Sequence, residues 1–124
     1  MIIDCHTHIT NEEQYLQYRR KGGSRVQKIV TIHDWDMPQS VQEPTIDALL
    51  QFAKTKPNVF VIASVDMQRP VLPQVKKLDG QLRRGEIVGV KLYPGYQPFF
   101  VSDKSVDPIA QLCTKYQKPF RTSD

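Results

Sequence analysis

Apolar residues follow two alternating rhythms along this chain. Short β-rich runs are separated by longer stretches whose apolar side chains recur three or four positions apart, the spacing of one helix face. Met1 to Cys5 predicts a first strand. Asn11 can cap a helix opening at Glu12-Glu13, which Gly22-Gly23 would stop. Val26 to Ile32 predicts a second strand, followed by a loop with Trp35, Pro38 and Pro44. Thr45 to Thr55 predicts a helix with Ile46, Leu49, Leu50 and Ala53 on one stripe. Val59 to Val65 is almost continuously apolar, as in a strand covered on both faces. Val71 to Arg84 carries Leu72, Val75, Leu78 and Leu82 at helical spacing, and Ile87 to Leu92 predicts a fourth strand. A Pro- and aromatic-rich loop, Tyr93 to Phe100, leads to a helix opened by Asp103 or Ser105 and holding Ile109, Leu112 and Cys113. Pro119-Phe120 could begin a fifth strand.

Strand–helix alternation of this kind predicts an α/β fold with a parallel sheet and right-handed crossovers. The predicted strands begin near residues 2, 26, 59, 87 and 119, an average repeat of about 29 residues, against roughly 31 per unit in a (β/α)8 barrel. Two architectures fit: a complete open sheet, or the N-terminal half of a barrel, with about four β/α units in a single domain over residues 1–124.

Composition narrows the class. Ile, Val, Leu and Phe supply 34 of the 124 residues, above the roughly one fifth below which chains stay disordered. Lys plus Arg exceeds Asp plus Glu by four. The cations are scattered, with short runs at Arg19-Arg20-Lys21, Lys76-Lys77 and Arg83-Arg84, each expected near a helix C-terminus, where cations complement the dipole. No nucleic-acid patch is expected. No apolar run reaches the ~18 residues of a membrane span, and no secretory signal is recognisable at Met1. Two cysteines, Cys5 and Cys113, make no disulfide framework, which fits a reducing cytoplasm.

Candidate chemistry gathers at the predicted strand ends. In Asp4-Cys5-His6-Thr7-His8, strict alternation puts Asp4, His6 and His8 on one face and Cys5 and Thr7 on the other. Two imidazoles two residues apart on a rigid strand end can converge on one cation; otherwise they are packed or capped histidines. Lys91 shares a strand face with Gly89, opposite Val88, Val90 and Leu92. A lysine on an inward face is costly unless paired or functional. It could hold an anionic substrate, be carbamylated to bridge two metals, or reach solvent from the strand end. Asp4 could orient a ligand histidine from behind; His33, Asp34, Asp36 and Asp66 follow strands two and three, and each could do the same or serve a turn. The Tyr93–Phe100 loop and Trp35 could line an apolar pocket or pack on the helices. Phosphate-cradling glycine motifs and a GxSxG elbow are missing from the sequence. Cys113 sits on an apolar helical stripe and is expected in the core.

Ile2-Ile3-Asp4-Cys5-His6-Thr7-His8 and Gly89-Val90-Lys91-Leu92-Tyr93-Pro94-Gly95-Tyr96 together resemble the amidohydrolase superfamily, specifically its amidohydrolase-related branch of metal-dependent hydrolases. The first segment alone is shared with the polymerase-and-histidinol-phosphatase family and with TatD-like nucleases; the second, at the fourth strand, favours the amidohydrolase-related branch. The resemblance implies a distorted (β/α)8 barrel holding one or two divalent metals, commonly zinc. It implies water attack on an amide, ester or lactone-like bond of a small molecule, or a related decarboxylation. His6 and His8 match the first two metal ligands, and Lys91 matches a lysine that in some branches is a carboxylated bridge. The family takes further ligands from strands five and six and a catalytic Asp from strand eight, whereas Lys118-Pro119-Phe120-Arg121-Thr122-Ser123-Asp124 has no histidine. The expectation is therefore a truncated, N-terminal half of such an enzyme. Alternatively it is a non-catalytic half-barrel that pairs with itself or with another chain through exposed strand edges.

Overall fold

The computed structural model describes residues 1–33, 46–92, 94, 102–118 and 120–122, the last three as backbone. Strands β1 (Ile3–Thr7), β2 (Lys28–Ile32), β3 (Val59–Ser64), β4 (Gly89–Leu92) and β5 (Phe120–Thr122) alternate with helices α1 (Glu12–Arg20), α2 (Ile46–Lys54), α3 (Val71–Arg83) and α4 (Asp107–Tyr116). All neighbouring strands are parallel, in the order β1-β2-β3-β4-β5. The sheet curls as in half of a (β/α)8 barrel, the partial barrel that the repeat length predicts. Sequential order with right-handed crossovers puts every connecting helix on one side of the sheet.

Core packing follows that rule. Ile29, Val59, Val61, Ala63, Val90 and Leu92 alternate onto the helix side and are buried. There Val61, Ala63, Val90 and Leu92 meet Leu49 and Leu50 of α2, Leu78 and Leu82 of α3, and Ile109, Leu112 and Cys113 of α4. The opposite face carries Val30 and Ile32 of β2, Phe60, Ile62 and Ser64 of β3, and Gly89 and Lys91 of β4.

α1 is attached differently, since none of its residues is fully buried. Tyr15 and Tyr18 pack against Ile29 and Val59. Polar ties supplement them: Tyr15 donates to Asn58 at 3.2 Å, and Lys56 lies 2.7 Å from Glu12. Asn11 caps the helix as predicted, its Oδ1 accepting from Gln14 N–H at 2.9 Å. Asn11→Ala should therefore cost about 1 kcal/mol, read as a shift in the urea midpoint at unchanged slope.

Two expectations are corrected. Lys76-Lys77 lies in the middle of α3 rather than at a helix end, and Lys77 reaches Asp47 of α2 at 3.6 Å. Leu72 is 69% exposed. At 3.6 residues per turn it stands about 100° around the axis from Val71, off the stripe made by Val71, Val75, Leu78 and Leu82. Among the described residues no helix is long and apolar enough to cross a membrane.

Candidate metal centre

β1 does not alternate throughout. Asp4 pairs with Ile29, yet Thr7 pairs with Thr31, so three steps on β1 match two on β2. This is a β-bulge, and one extra residue reverses the facing of everything after it. Asp4 shares the helix side with Ile29, where Tyr18 of α1 donates to its Oδ2 at 2.8 Å. Beyond the bulge, Thr7 and Ile9 are the buried residues. The Thr7 hydroxyl donates to the Val30 carbonyl at 2.8 Å, and the Thr31 hydroxyl donates to the Ile9 carbonyl at 2.6 Å. His6 and His8 therefore project from the opposite face, at the C-terminal end of β1. The expectation that Asp4 shares their face is overturned by the bulge.

The two imidazoles meet. His6 Nε2 lies 3.1 Å from His8 Nε2, and the rings are edge-on at 66° with centroids 5.1 Å apart. Both side chains are exposed. Zinc binds imidazole nitrogen at about 2.0–2.1 Å with tetrahedral angles, which sets two ligand nitrogens about 3.3 Å apart. The observed contact, a hydrogen bond between the two ring nitrogens, has a spacing close to that. Among the described residues no group of three His, Cys, Asp or Glu side chains converges. Cys5 is exposed and Cys113 buried, and neither is in a disulfide.

Lys91 is buried, 6% exposed, and by register it stands on the same face as the histidines, beside Ser64. Val90 and Leu92 point the other way into the helix layer, as the sequence predicts. The remaining candidates go elsewhere. His33 is buried and lines a cavity of about 50 Å3 with Ile46 of α2 and Leu78 and Gln81 of α3, within the helix layer rather than beside His6 and His8. Asp66 organises the turn into α3: its Oδ1 accepts from Gln68 N–H at 3.0 Å, and Arg69 lies 3.3 Å from Oδ2. Asp34, Trp35, Asp36, Tyr93 and residues 95–101 lie outside the described residues. A larger cavity, about 270 Å3, sits at the N-terminal ends of β3 and β4 beside the Arg84–Glu86 ion pair. That is the opposite end of the sheet from the imidazoles.

Asp4, a sequence candidate for orienting a ligand histidine, touches His6 through the backbone across the bulge. Its Oδ1 accepts the His6 backbone N–H at 3.2 Å while Oδ2 holds Tyr18. Tyr18 itself carries no sequence signal beyond its place on α1. Desolvation, then the hydrogen bond to Asp4 and its charge, push the Tyr18 phenol up to about 12 from an ordinary 10.0, with Arg19 opposing. The folded state thus prefers the protonated phenol. That contribution is complete below about pH 10 and is lost as pH rises through about 12. An ultraviolet phenolate titration should show a late step that Tyr18→Phe removes.

Comparison with protein-family models, with curated proteins and with solved structures found no match for this chain.

Proposed function

We propose that the chain carries the first half-site of a metal-dependent hydrolase of the amidohydrolase-related type, acting on an amide, ester or lactone-like bond of a small molecule. The observation that carries this reading is the 3.1 Å approach of His6 Nε2 and His8 Nε2 at the C-terminal strand ends of a sequentially ordered parallel sheet. In barrels of this topology catalytic groups collect at that end. His6 and His8 would hold the cation, most simply zinc, whose chemistry when bound is Lewis-acid polarisation and water activation. Lys91, inward on the same face, would hold the anionic part of a substrate or, once carboxylated, help to hold a second cation. Asp4 would orient His6 through the backbone.

Zinc titration and a panel of esters and lactones test the reading. His6-dependent zinc uptake with turnover supports it; the absence of zinc binding removes it. Lys91→Met separates the two lysine roles. Lost turnover at unchanged zinc stoichiometry fits substrate binding, whereas a fall in stoichiometry fits bridging.

A second reading, pairing between copies of the chain, is favoured by the edge of β1. Met1, Ile2 and Ile3 are 84%, 54% and 46% exposed there, and an apolar strand edge invites strand addition. Light scattering that reports only monomer at micromolar concentration would end it.

A further inference from the structure

We infer that Tyr18 is a positioning residue for the His6–His8 pair, acting through Asp4; the inference deepens the metal reading and rests on it for its purpose. Four contacts carry it. The Asp4 carboxylate spans the bulge, with Oδ1 accepting the His6 backbone N–H at 3.2 Å and Oδ2 accepting the Tyr18 hydroxyl at 2.8 Å. Without the bulge, strict alternation would put His6 and His8 together on the helix side with Asp4. The bulge turns both to the inner face, and within it the Asp4 hydrogen bond holds the backbone of His6 but not that of His8. Tyr18 in turn is seated by Gly23. A Cβ at Gly23 would run into the Tyr18 ring and come within 2.7 Å of the Tyr18 carbonyl oxygen. Arg19 holds that loop, donating to the carbonyls of Gly23 and Val26 at 3.0 and 2.9 Å.

A chain of direct contacts thus runs from the α1–β2 loop to the imidazoles: Gly23, Tyr18, Asp4, His6. Each link has a chemical reason for its residue. Gly23 leaves room for a ring, Tyr18 supplies a hydroxyl at the end of a rigid ring, and Asp4 has two oxygens for two donors. The same carboxylate would leave one of those donors without its acceptor if either oxygen were removed. Partners behind a metal-binding histidine commonly change metal affinity by about 10–100-fold when removed, and a shift of the ligand backbone belongs in that range.

The test uses Tyr18→Phe, which keeps the ring and removes only the hydroxyl, and Asp4→Asn, which keeps the shape and one acceptor. The first readout needs no metal: NMR contacts between the two imidazoles in histidine-labelled protein. The inter-ring contact should weaken in both variants and most in Asp4→Ala, while circular dichroism reports an unchanged fold. The second readout is zinc affinity, expected to fall about 10–100-fold in Tyr18→Phe and less in Asp4→Asn. Imidazoles that stay together in Tyr18→Phe and in Asp4→Ala overturn the inference, whatever the metal data say. Rings that separate in a protein that binds no zinc uphold the positioning role and remove the metal reading alone. Zinc bound equally by wild type and Tyr18→Phe leaves the metal reading standing and removes this one.

Discussion

His6→Ala and His8→Ala, each alone, should lower zinc affinity by more than about 100-fold, beyond the ~10–100-fold that loss of a mere supporting partner costs. Each removes one of only two imidazoles that converge at 3.1 Å, and among the described residues no third donor stands ready to replace it. A single remaining imidazole on an exposed strand end holds a divalent cation little better than a free side chain. The double variant should lose little beyond either single one, because the two rings act as one unit. Binding must also weaken on acidification, since ligand imidazoles have to be neutral. Competition against a chromophoric chelator measures all three quantities. Equal affinity in wild type and in His6→Ala would show that zinc, if bound, sits elsewhere. Neither change should move the unfolding midpoint much, because both side chains are exposed.

The pattern of apolar residues contained the architecture because a parallel sheet buried under helices writes it plainly. Val59 to Val65 reads as a covered strand, and all its residues but the half-buried Phe60 are buried in the helix layer or on the inner face. The split of Lys91 from Val90 and Leu92 was legible for the same reason, since β4 keeps its alternation. β1 was not legible to that depth. A bulge is one residue's departure from period two, and Asp4-Cys5-His6-Thr7-His8 contains nothing that marks it. The carboxylate that spans it accepts from Tyr18, fourteen residues away and on another element. Long-range polar contacts of this kind leave no periodic trace.

His33 shows the same limit from another direction. A histidine after a strand looks like a rim residue, yet here the helix layer closes over it between α2 and α3. Asp66 went to the commoner role of its residue type, the turn. Leu72 departs for a geometric reason: it stands (i, i+3) from Val75, yet Val71 is the residue on the stripe. The paired imidazoles and the inward lysine were thus legible as candidates, while the contacts that run from Asp4 to Tyr18 and to the His6 backbone had to be seen in three dimensions.

Leu92→Ala should destabilise the protein by about 2–5 kcal/mol. Leu92 is fully buried and packs in the cluster that joins β4 to α3 and α4. Truncation removes its transfer free energy and leaves a cavity that the parallel sheet cannot easily collapse, because neighbouring strands pin the β4 backbone on both sides. Domains of this size are stable by only about 5–15 kcal/mol, so the variant should unfold at markedly lower urea and sit near the limit of folding at physiological temperature. Lys91, one residue earlier, points to the other face, and its substitution is read in binding and turnover rather than in this cluster. Equilibrium urea unfolding of Leu92→Ala, with the slope checked for two-state behaviour, decides the matter. A loss under about 1 kcal/mol would mean that the helix layer does not close on β4 as the packing requires. The division of this strand into a structural face and a chemical face would then fail with it.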